Sequence, residues 1–264
     1  MKRREFLTAG TAGLAALATT TTAMAQQQRN TEYIEVRKYT VKDADKRAQL
    51  VNILDEALIP ALNRQGLEPV GVLIPEAKAE KELQFALNVF VIVPHKTTET
   101  FVNVNAKLVA DMEYRKAAEP IFNTTSKDPV YTNCETFLLQ GFPTMPGLET
   151  LKLGPERVYQ LRLYRSFNIE RNAAKVNMFD KGGELPLFRK LGLNPIFFGN
   201  IVAGTRMPAL IYLLGFTSPA TKDEAWKTFV AHPQWLAIKN LPEYADTATE
   251  IDNIMLFPSP GSQL

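Results

Sequence analysis

The sequence predicts an α+β fold in which two tandem ferredoxin-like (β-α-β-β-α-β) repeats form a pseudo-dimeric α+β barrel. Three observations predict this fold. Most of the chain repeats itself at an offset of about 125 residues, both copies alternate strand-like and helix-like patterns in the same order, and each copy would leave one face of its sheet without helices. An apolar sheet face must be covered, and the second copy is tethered to the first. We therefore expect the two sheets to pack face to face, with the helices outside.

The internal repeat can be followed residue by residue. Four residues of the first strand and helix recur unchanged in the second copy: Arg37, Tyr39, Asn52 and Asp55 align with Arg162, Tyr164, Asn177 and Asp180. Further along, the same offset aligns Phe101 with Trp226. After a four-residue deletion, Asp111 and Tyr114 align with His232 and Trp235. Two copies of one module therefore account for nearly all of the chain after residue 25.

The elements of the first copy follow from its hydrophobic periodicity. Alternation predicts a strand at 33–39. Apolar residues at helical spacing between Leu50 and Leu62 predict a helix that ends at Gly66. The remaining predicted elements are strands at 69–74 and 83–93, a helical segment at 96–118 and a strand at 130–140.

The second copy repeats this order. Its predicted elements are a strand at 157–165, a helix at 170–191, strands at 195–203 and 208–217, helices at 221–240 and a strand at 247–257. Between the copies, residues 141–156 contain three Pro and three Gly, and we interpret them as a linker. The predicted domains are therefore residues 26–140 and 157–258, followed by a tail at 259–264.

The N-terminus has the three parts of a signal peptide. Residues 1–25 run from a basic head through a small-residue apolar stretch to an A-x-A cleavage site before Gln26. Arg3-Arg4, followed by Glu5-Phe6-Leu7, resembles a twin-arginine export signal, and an ordinary secretory signal is the alternative. No later apolar run approaches the roughly 20 residues of a membrane-spanning helix. We expect a soluble periplasmic or secreted protein with no membrane anchor after signal cleavage.

Composition excludes several classes of protein. Hydrophobic residues make up 45% of the chain and charged residues 22%, which is typical of globular proteins and excludes a disordered chain. Basic and acidic residues balance after residue 25, so no nucleic-acid partner is predicted. One cysteine and two histidines make a Cys/His zinc cluster an unfavourable interpretation, and no metal site is predicted. The chain also has no phosphate-binding glycine motif and no sequence pattern typical of a Ser-His-Asp catalytic triad.

The chain resembles the NIPSNAP family. The resemblance lies in the opening strands at 33–39 and 159–164, the long helix after each, and the H-P-x-W segment of His232 to Trp235. It covers both repeats and is closer in the second. It implies a dimeric α+β barrel, related to a superfamily that includes cofactor-free monooxygenases, small-molecule isomerases and haem-handling proteins, and it implies no activity by itself. The family's usual Asp in D-P-x-W is Asp111 in the first copy and His232 in the second.

The first strands carry the first candidate site. Alternation puts Arg37 and Tyr39 on the polar face of one strand, and Arg162 and Tyr164 on the polar face of the other. We expect these faces to point to the barrel seam, where Arg37 and Arg162 would approach each other. Such an arginine fork would bind a carboxylate or enolate, with tyrosine as a neutral donor. The alternative is a hydrogen-bonded network that fixes how the sheets meet.

His232 is the candidate general base, because histidine titrates near neutral pH and this one occurs in one copy only. Trp226 and Trp235 lie close to it in sequence and offer aromatic surface for a flat ligand. The alternative is that His232 caps the helix whose first turn contains Pro233. We expect a ligand between the second sheet and its second helical segment, with Trp235 or His232 in contact.

Three further features favour structural roles. His95 begins a helical segment and is predicted to cap it or to be exposed. Cys134 lies near an apolar run in the last strand of the first copy and is predicted to be a buried small hydrophobe. The aligned Asn and Asp residues of the first helices (Asn52, Asp55, Asn177 and Asp180) are predicted to form a solvated face, with a polar pocket rim as the alternative.

Two classes of function remain open. The first is a small-molecule enzyme of the cofactor-free monooxygenase or isomerase type, with His232 as the base and Arg162 or Tyr164 holding an oxyanion. The second is a non-catalytic binding protein for haem or another hydrophobic ligand. No cofactor is predicted, and haem would need an axial ligand from His95, His232 or a tyrosine. Whether the intact chain forms a homo-oligomer is left open.

Overall fold

The structure is a computed structural model that describes residues 32–76 and 80–264. The signal peptide predicted at 1–25 lies outside the described residues. Within them, no helix combines the length and the apolar character needed to cross a membrane. The predicted fold class is confirmed, because eight strands close into one barrel and the helices pack on its outer face.

The barrel consists of two ferredoxin-like sheets, which we call module one (residues 33–141) and module two (residues 158–258). The strands of module one are β1 (Tyr33–Thr40), β2 (Gly71–Pro75), β3 (Asn88–His95) and β4 (Asn133–Gly141), and those of module two are β5 (Val158–Arg165), β6 (Asn194–Ala203), β7 (Ala209–Phe216) and β8 (Glu250–Pro258). The order within the modules is β4-β1-β3-β2 and β8-β5-β7-β6. Antiparallel β2–β8 and β4–β6 pairs join the sheets edge to edge, which closes the barrel.

The helices follow the predicted order with two interruptions. Module one contains α1 (Ala44–Ile53), α2 (Ile59–Arg64), α3 (Thr98–Ala110), α4 (Met112–Ala117) and α5 (Glu119–Phe122), and module two contains α6 (Ile169–Asp180), α7 (Glu184–Lys190), α8 (Pro219–Ala231) and α9 (Pro233–Lys239). A π-helical turn, Leu54–Leu58, joins α1 to α2. In module two the single helix predicted at 170–191 is broken, because Gly183 has a φ of 93°, a conformation that favours glycine.

Short 3₁₀ helices at Glu80–Phe85 and Pro242–Tyr244 complete the described elements. The first replaces the beginning of the strand predicted at 83–93, so that strand is shorter than predicted. Gly66 ends its helix as predicted, with a φ of 74° in the left-handed region.

One part of the repeat alignment is wrong. Thr97 is the N-cap of α3 and Ser218 is the N-cap of α8, so the four-residue deletion lies before these caps. The deletion falls in the connection between the second and third strands of the module, where a surface loop tolerates a change of length. Trp226 therefore corresponds to Asn105, and not to Phe101.

The two faces of β1 and β5 are the reverse of those predicted. Ile34 and Val36 of β1 and Leu161 of β5 lie in the barrel interior, packed with apolar residues of the other strands. The polar faces, with Arg37 and Arg162, lie instead beneath the helices of their own modules. Buried polar groups need hydrogen-bond partners, which the helical layers supply and the apolar interior does not. The predicted approach of Arg37 to Arg162 across the barrel is therefore wrong.

The segments that follow β4 and β8 cross from one module to the other. Ser259 Oγ and the Gly261 amide donate to the Asp55 carboxylate at 2.5 and 3.0 Å. In the same way, the amide and hydroxyl of Thr144 donate to Asp180 Oδ1 at 2.9 and 2.5 Å. The solvated face predicted for these two aspartates is therefore wrong. Each carboxylate accepts hydrogen bonds from the segment that follows the last strand of the other module.

Candidate functional site

Module two contains a cavity of about 470 Å³ between its sheet and its helices. Its volume falls in the range of small-molecule sites. The lining residues come from β5, from helices α6 to α9, from the segment that leads into β8 and from the start of β8: Arg162, Tyr164, Lys175, Glu184, Trp226, Phe229, Val230, Trp235, Tyr244, Asp246, Thr247, Ala248 and Ile251. This is the region in which the sequence predicted a ligand, and four of the predicted site residues line it.

Arg162 is the central feature of the cavity. Its guanidinium carbon lies 4.6 Å from the ring centroid of Trp226 and 5.3 Å from that of Tyr164, so the charge rests against two aromatic faces. Its Nε is buried without a hydrogen-bond partner among the described residues. A guanidinium has five N–H donors, and a carboxylate or another anion is the group that satisfies them best.

Arg37, the counterpart in module one, is fully paired. Its Nε and Nη2 donate to the two carboxylate oxygens of Glu35 at 2.6 and 3.0 Å. Glu35 Oε2 is also 3.0 Å from Nε2 of His95, whose Nδ1 is 3.1 Å from the Thr100 hydroxyl. Burial alone would raise the pKa of Glu35, but the hydrogen bond from His95 and the charge of Arg37 outweigh it, and the net shift is downward. Arg37 and Tyr39 therefore belong to a closed structural network within module one, whereas the alternative stated from the sequence was a network that fixes how the two sheets meet.

The difference between the two arginines begins at one residue. Gln160 takes the place of Glu35, and a neutral amide cannot compensate a guanidinium. The amide of Gln160 is used elsewhere, since its Nε2 donates to Asn253 at 2.7 Å and its Oε1 accepts the indole N–H of Trp226 at 2.6 Å. Module two thus has the same arginine but, among the described residues, no carboxylate paired with it.

A buried ion pair lines the same cavity. Lys175 Nζ of α6 lies 3.2 Å from Glu184 Oε2 at the start of α7, and the two side chains are only 7% and 4% exposed. Burial lowers the pKa of Lys175 and raises the pKa of Glu184, although each partner's charge opposes the shift of the other. Sequence reasoning missed both residues, but their aligned positions in module one, Leu50 and Leu58, are apolar, and that contrast was visible in the repeat.

Aromatic side chains form the wall of the cavity. The ring centroids of Trp226 and Phe229 are 5.6 Å apart, and those of Phe229 and Trp235 are 4.6 Å apart. Behind them, the Tyr164 hydroxyl accepts a hydrogen bond from the Tyr212 hydroxyl at 3.2 Å. Burial raises the pKa of Tyr164, so its phenol stays neutral and can act as a donor. Both tryptophans of the chain line this cavity.

The buried charged side chains of the cavity favour an anion. Arg162 and Lys175 are cationic and Glu184 is anionic, while Asp246 is exposed at the rim. An apolar, aromatic wall beside an excess cation, the half-buried Arg162, suits a flat organic molecule with one negative charge.

Three predicted site residues lie elsewhere: Arg37 and Tyr39, which belong to module one, and His232. His232 is the N-cap of α9, with Nδ1 accepting from the Gln234 amide at 3.2 Å, and it is not among the described residues that line the cavity. Its capping alternative is therefore confirmed, as is the matching cap by Asp111, which accepts from the Tyr114 amide at 2.9 Å. The catalytic role of His232 stays a prediction.

Two expectations about burial are wrong. His95 is fully buried rather than exposed, because Glu35 and Thr100 supply partners for both ring nitrogens. Cys134 is exposed rather than buried, because it lies at the beginning of β4, ahead of the buried run Phe137–Leu139. Among the described residues, no cluster of three or more His, Cys, Asp or Glu could hold a metal ion.

Comparison with known proteins identifies the fold. No family model matches the chain, and no curated protein sequence is similar to it. A monooxygenase-like protein from Lactobacillus acidophilus NCFM is similar in structure, with a TM-score of 0.56 and 11% identity over 86% of this chain and 94% of that chain. The structure of an anthrone oxidase-like protein has a TM-score of 0.52 and 10% identity over 87% and 92%. The chain has the fold of the dimeric α+β barrel proteins.

NIPSNAP proteins are also found among the similar structures. One from Agrobacterium tumefaciens has 17% identity and a TM-score of 0.36, and the match covers 41% of this chain and 98% of that chain. At these levels of identity, structural likeness shows a fold and leaves the activity open.

Proposed function

We propose that this protein binds a small, flat organic anion, such as an aromatic carboxylate, phenolate or enolate, in the cavity of module two. The observation that carries the proposal is the state of Arg162. Its guanidinium faces an aromatic cavity and has no carboxylate paired with it among the described residues, whereas the equivalent Arg37 is paired with Glu35. An anionic ligand would supply the missing partner, and Tyr164 would add a neutral donor.

The energetics favour an anion over a neutral ligand. A charge-assisted hydrogen bond contributes about 1.5–3 kcal/mol, roughly twice a neutral one. Part of the cost of desolvating Arg162 is already met in the folded protein, since its Nε is buried and has no hydrogen-bond partner in the part of the chain that the structure describes. A flat ligand would also gain contact area against Trp226 and Trp235.

The type of activity is a further part of this proposal. The names of the similar monooxygenase-like and anthrone oxidase-like proteins suggest oxygenase or oxidase chemistry, for which we propose no cofactor, and isomerase chemistry is compatible with the same barrel. In this chain the chemistry would take place at Arg162, Tyr164 and the Lys175–Glu184 pair. His232 would then be a helix cap beside the site.

Haem fits this cavity less well than an organic anion does. His95 has both ring nitrogens engaged and lies in module one. Of the tyrosines in the cavity, Tyr164 receives a hydrogen bond from Tyr212, and the Tyr244 hydroxyl donates to Asn177 Oδ1 at 3.0 Å. We therefore do not assign haem to this site. A purified sample that acquires a Soret band on haem titration, and loses it in Tyr164→Phe, would overturn this assignment.

Tryptophan fluorescence tests the proposed function directly, because both tryptophans line the cavity. We expect 4-nitrobenzoate to quench the fluorescence saturably, and Arg162→Gln to weaken its binding at least about tenfold, the scale of one charge-assisted hydrogen bond. Arg165→Gln is the matched control, since Arg165 is on the same strand and pairs with Glu250 outside the cavity. Equal affinity in wild type and Arg162→Gln, or an equal loss in both variants, would contradict the proposal.

We propose that the protein acts after export. Arg3-Arg4 and the A-x-A site support this, and replacing both arginines by lysine should leave the uncleaved precursor in the cytoplasm. Cell fractionation with an antibody against the mature chain would measure how much precursor stays in the cytoplasm. Normal cleavage and export of the double variant would show that the twin-arginine assignment is wrong.

A further inference from the structure

The Lys175–Glu184 pair has no counterpart in module one. The aligned residues, Leu50 and Leu58, are buried at 0% and 2% exposure in the apolar layer between helix and sheet. The module therefore folds with leucine at both positions. Replacing apolar residues by a buried ion pair is seldom stabilising, because the desolvation of two charges offsets their attraction. A pair that the fold does not need points to a role in the cavity.

The pair is placed to act on a ligand held by Arg162. Lys175 Nζ lies 4.3 Å from the ring centroid of Phe179, 5.3 Å from Tyr164 and 5.9 Å from Trp235, so the ammonium faces the aromatic wall. Its polar contacts are Glu184 Oε2 at 3.2 Å and Met178 Sδ at 3.3 Å. Arg162 and Tyr164 line the same space from the sheet side.

We propose that Lys175 and Glu184 form a proton-accepting pair that ionises an acidic hydroxyl group of the ligand, so that a phenol or enol enters the cavity neutral and is held at Arg162 as its anion. This inference rests on the proposed function and names the ligand class more closely. It requires a hydroxyl group that ionises not far above neutral pH.

The proton transfer balances within the cavity. The O–H bond of the ligand breaks and its electron pair stays on oxygen as the anion beside Arg162. The proton forms an N–H bond on Lys175 as Lys175 passes one of its own protons to Glu184 Oε2. The pair changes from net charge zero to +1, the ligand changes from zero to −1, and no proton leaves the protein.

The electrostatics of the pair support such a transfer. Burial lowers the pKa of Lys175 and raises that of Glu184, which brings the proton affinities of amine and carboxylate closer together. The other titratable groups that face the pair or line the cavity with it are Arg162, Tyr164 and Tyr212 from the sheet, and Tyr244 and Asp246 from the segment before β8. The cationic Arg162 stabilises the anion once it forms.

The test uses 4-nitrophenol, whose phenolate has its own absorption band, at a pH where the free probe is mostly neutral. Two quantities are measured at saturation: the phenolate fraction of the bound probe, and the protons released per site, from calorimetry in two buffers of different ionisation enthalpy. We expect wild type to bind the phenolate and to release almost no proton, because the pair retains it.

The matched variant is Lys175→Leu with Glu184→Leu, which copies the leucines of module one. We expect its phenolate fraction to fall by about tenfold at the same pH, the effect of one pKa unit. Glu184→Gln is the second variant, and it should bind the phenolate while releasing close to one proton per site. A structural role alone would leave this proton count unchanged.

Three results would overturn the inference: wild type binds neutral 4-nitrophenol, wild type releases a full proton on binding the phenolate, or both variants match wild type. Binding of 4-nitrobenzoate, which is already an anion, separates this failure from that of the proposed function. If 4-nitrobenzoate still binds in an Arg162-dependent way, the inference alone fails. If 4-nitrobenzoate does not bind, the proposed function fails and the inference fails with it.

Discussion

Module one and module two carry an arginine at the same point of the same strand, with opposite surroundings. Arg37 is paired with Glu35, which His95 contacts in turn, and Leu50 belongs to the buried apolar cluster between the helices and sheet of that module. Arg162 faces a cavity and is paired with no carboxylate in residues 32–76 and 80–264. In a duplicated protein, a charge compensated within its own copy serves the fold. A charged side chain that has no oppositely charged partner in its own copy is available to a ligand.

Removing each arginine in turn should give the largest contrast between the modules. Arg37→Met leaves Glu35 buried without its cation, and we expect the free energy of unfolding to fall by about 3–5 kcal/mol. Arg162→Met removes a charge that has no paired carboxylate, and we expect a change of less than about 1 kcal/mol. Urea denaturation followed by circular dichroism would measure both. Similar losses in the two variants would refute the distinction between a structural and a free arginine.

Glu35→Gln would sharpen the same comparison through pH. The pKa of Glu35 is lowered in the folded protein, so its contribution to stability is present above the ordinary value of 4.5 and is lost as the pH falls through the lowered pKa. We expect the variant to be about 3 kcal/mol less stable than wild type at pH 7. This difference should shrink as the solution is acidified below 4.5. A difference that does not vary between pH 7 and strongly acidic solution would argue against the Glu35–Arg37 pair as its origin.

Gln160→Glu should convert module two towards module one. The new carboxylate would pair with Arg162 as Glu35 pairs with Arg37, and it would compete with an anionic ligand. We expect the affinity for 4-nitrobenzoate to fall by about tenfold, which corresponds to about 1.4 kcal/mol. Gln160→Met is the control, because it fills a similar space without a charge; it also removes the acceptor of the Trp226 indole N–H, so we expect some loss of affinity, but a smaller one than in Gln160→Glu. Unchanged binding by Gln160→Glu would mean that the probe does not use Arg162.

The smallest effect is expected at His232. Asparagine also caps helices well, so His232→Asn should change stability by less than about 0.5 kcal/mol, while His232→Ala should cost about 1 kcal/mol. Thermal denaturation would measure the difference. Both variants should bind 4-nitrobenzoate like wild type, since His232 does not line the cavity among the described residues. A loss of turnover on an identified substrate by about 10² in His232→Asn would instead support its predicted role as a base.

The sequence by itself determined the features that depend on local chemistry. The order of strands and helices followed from periodicity, and the caps at Asp111 and His232 followed from residue types that accept a backbone N–H at a helix start. The repeat also pointed to the right layer for a site, because Trp235 differs from its counterpart Tyr114 and lines the cavity.

The tertiary structure decided which face of each strand is inside. Alternation defines two faces of β1, but Ile34 and Val36 could pack either on helices or in a closed barrel. The barrel closes by pairing its sheet edges, and its interior then receives apolar side chains from all eight strands. The polar faces were thereby left to the helical layers. Only there do Lys175 and Glu184, distant in sequence from Arg162, come to line one cavity with it.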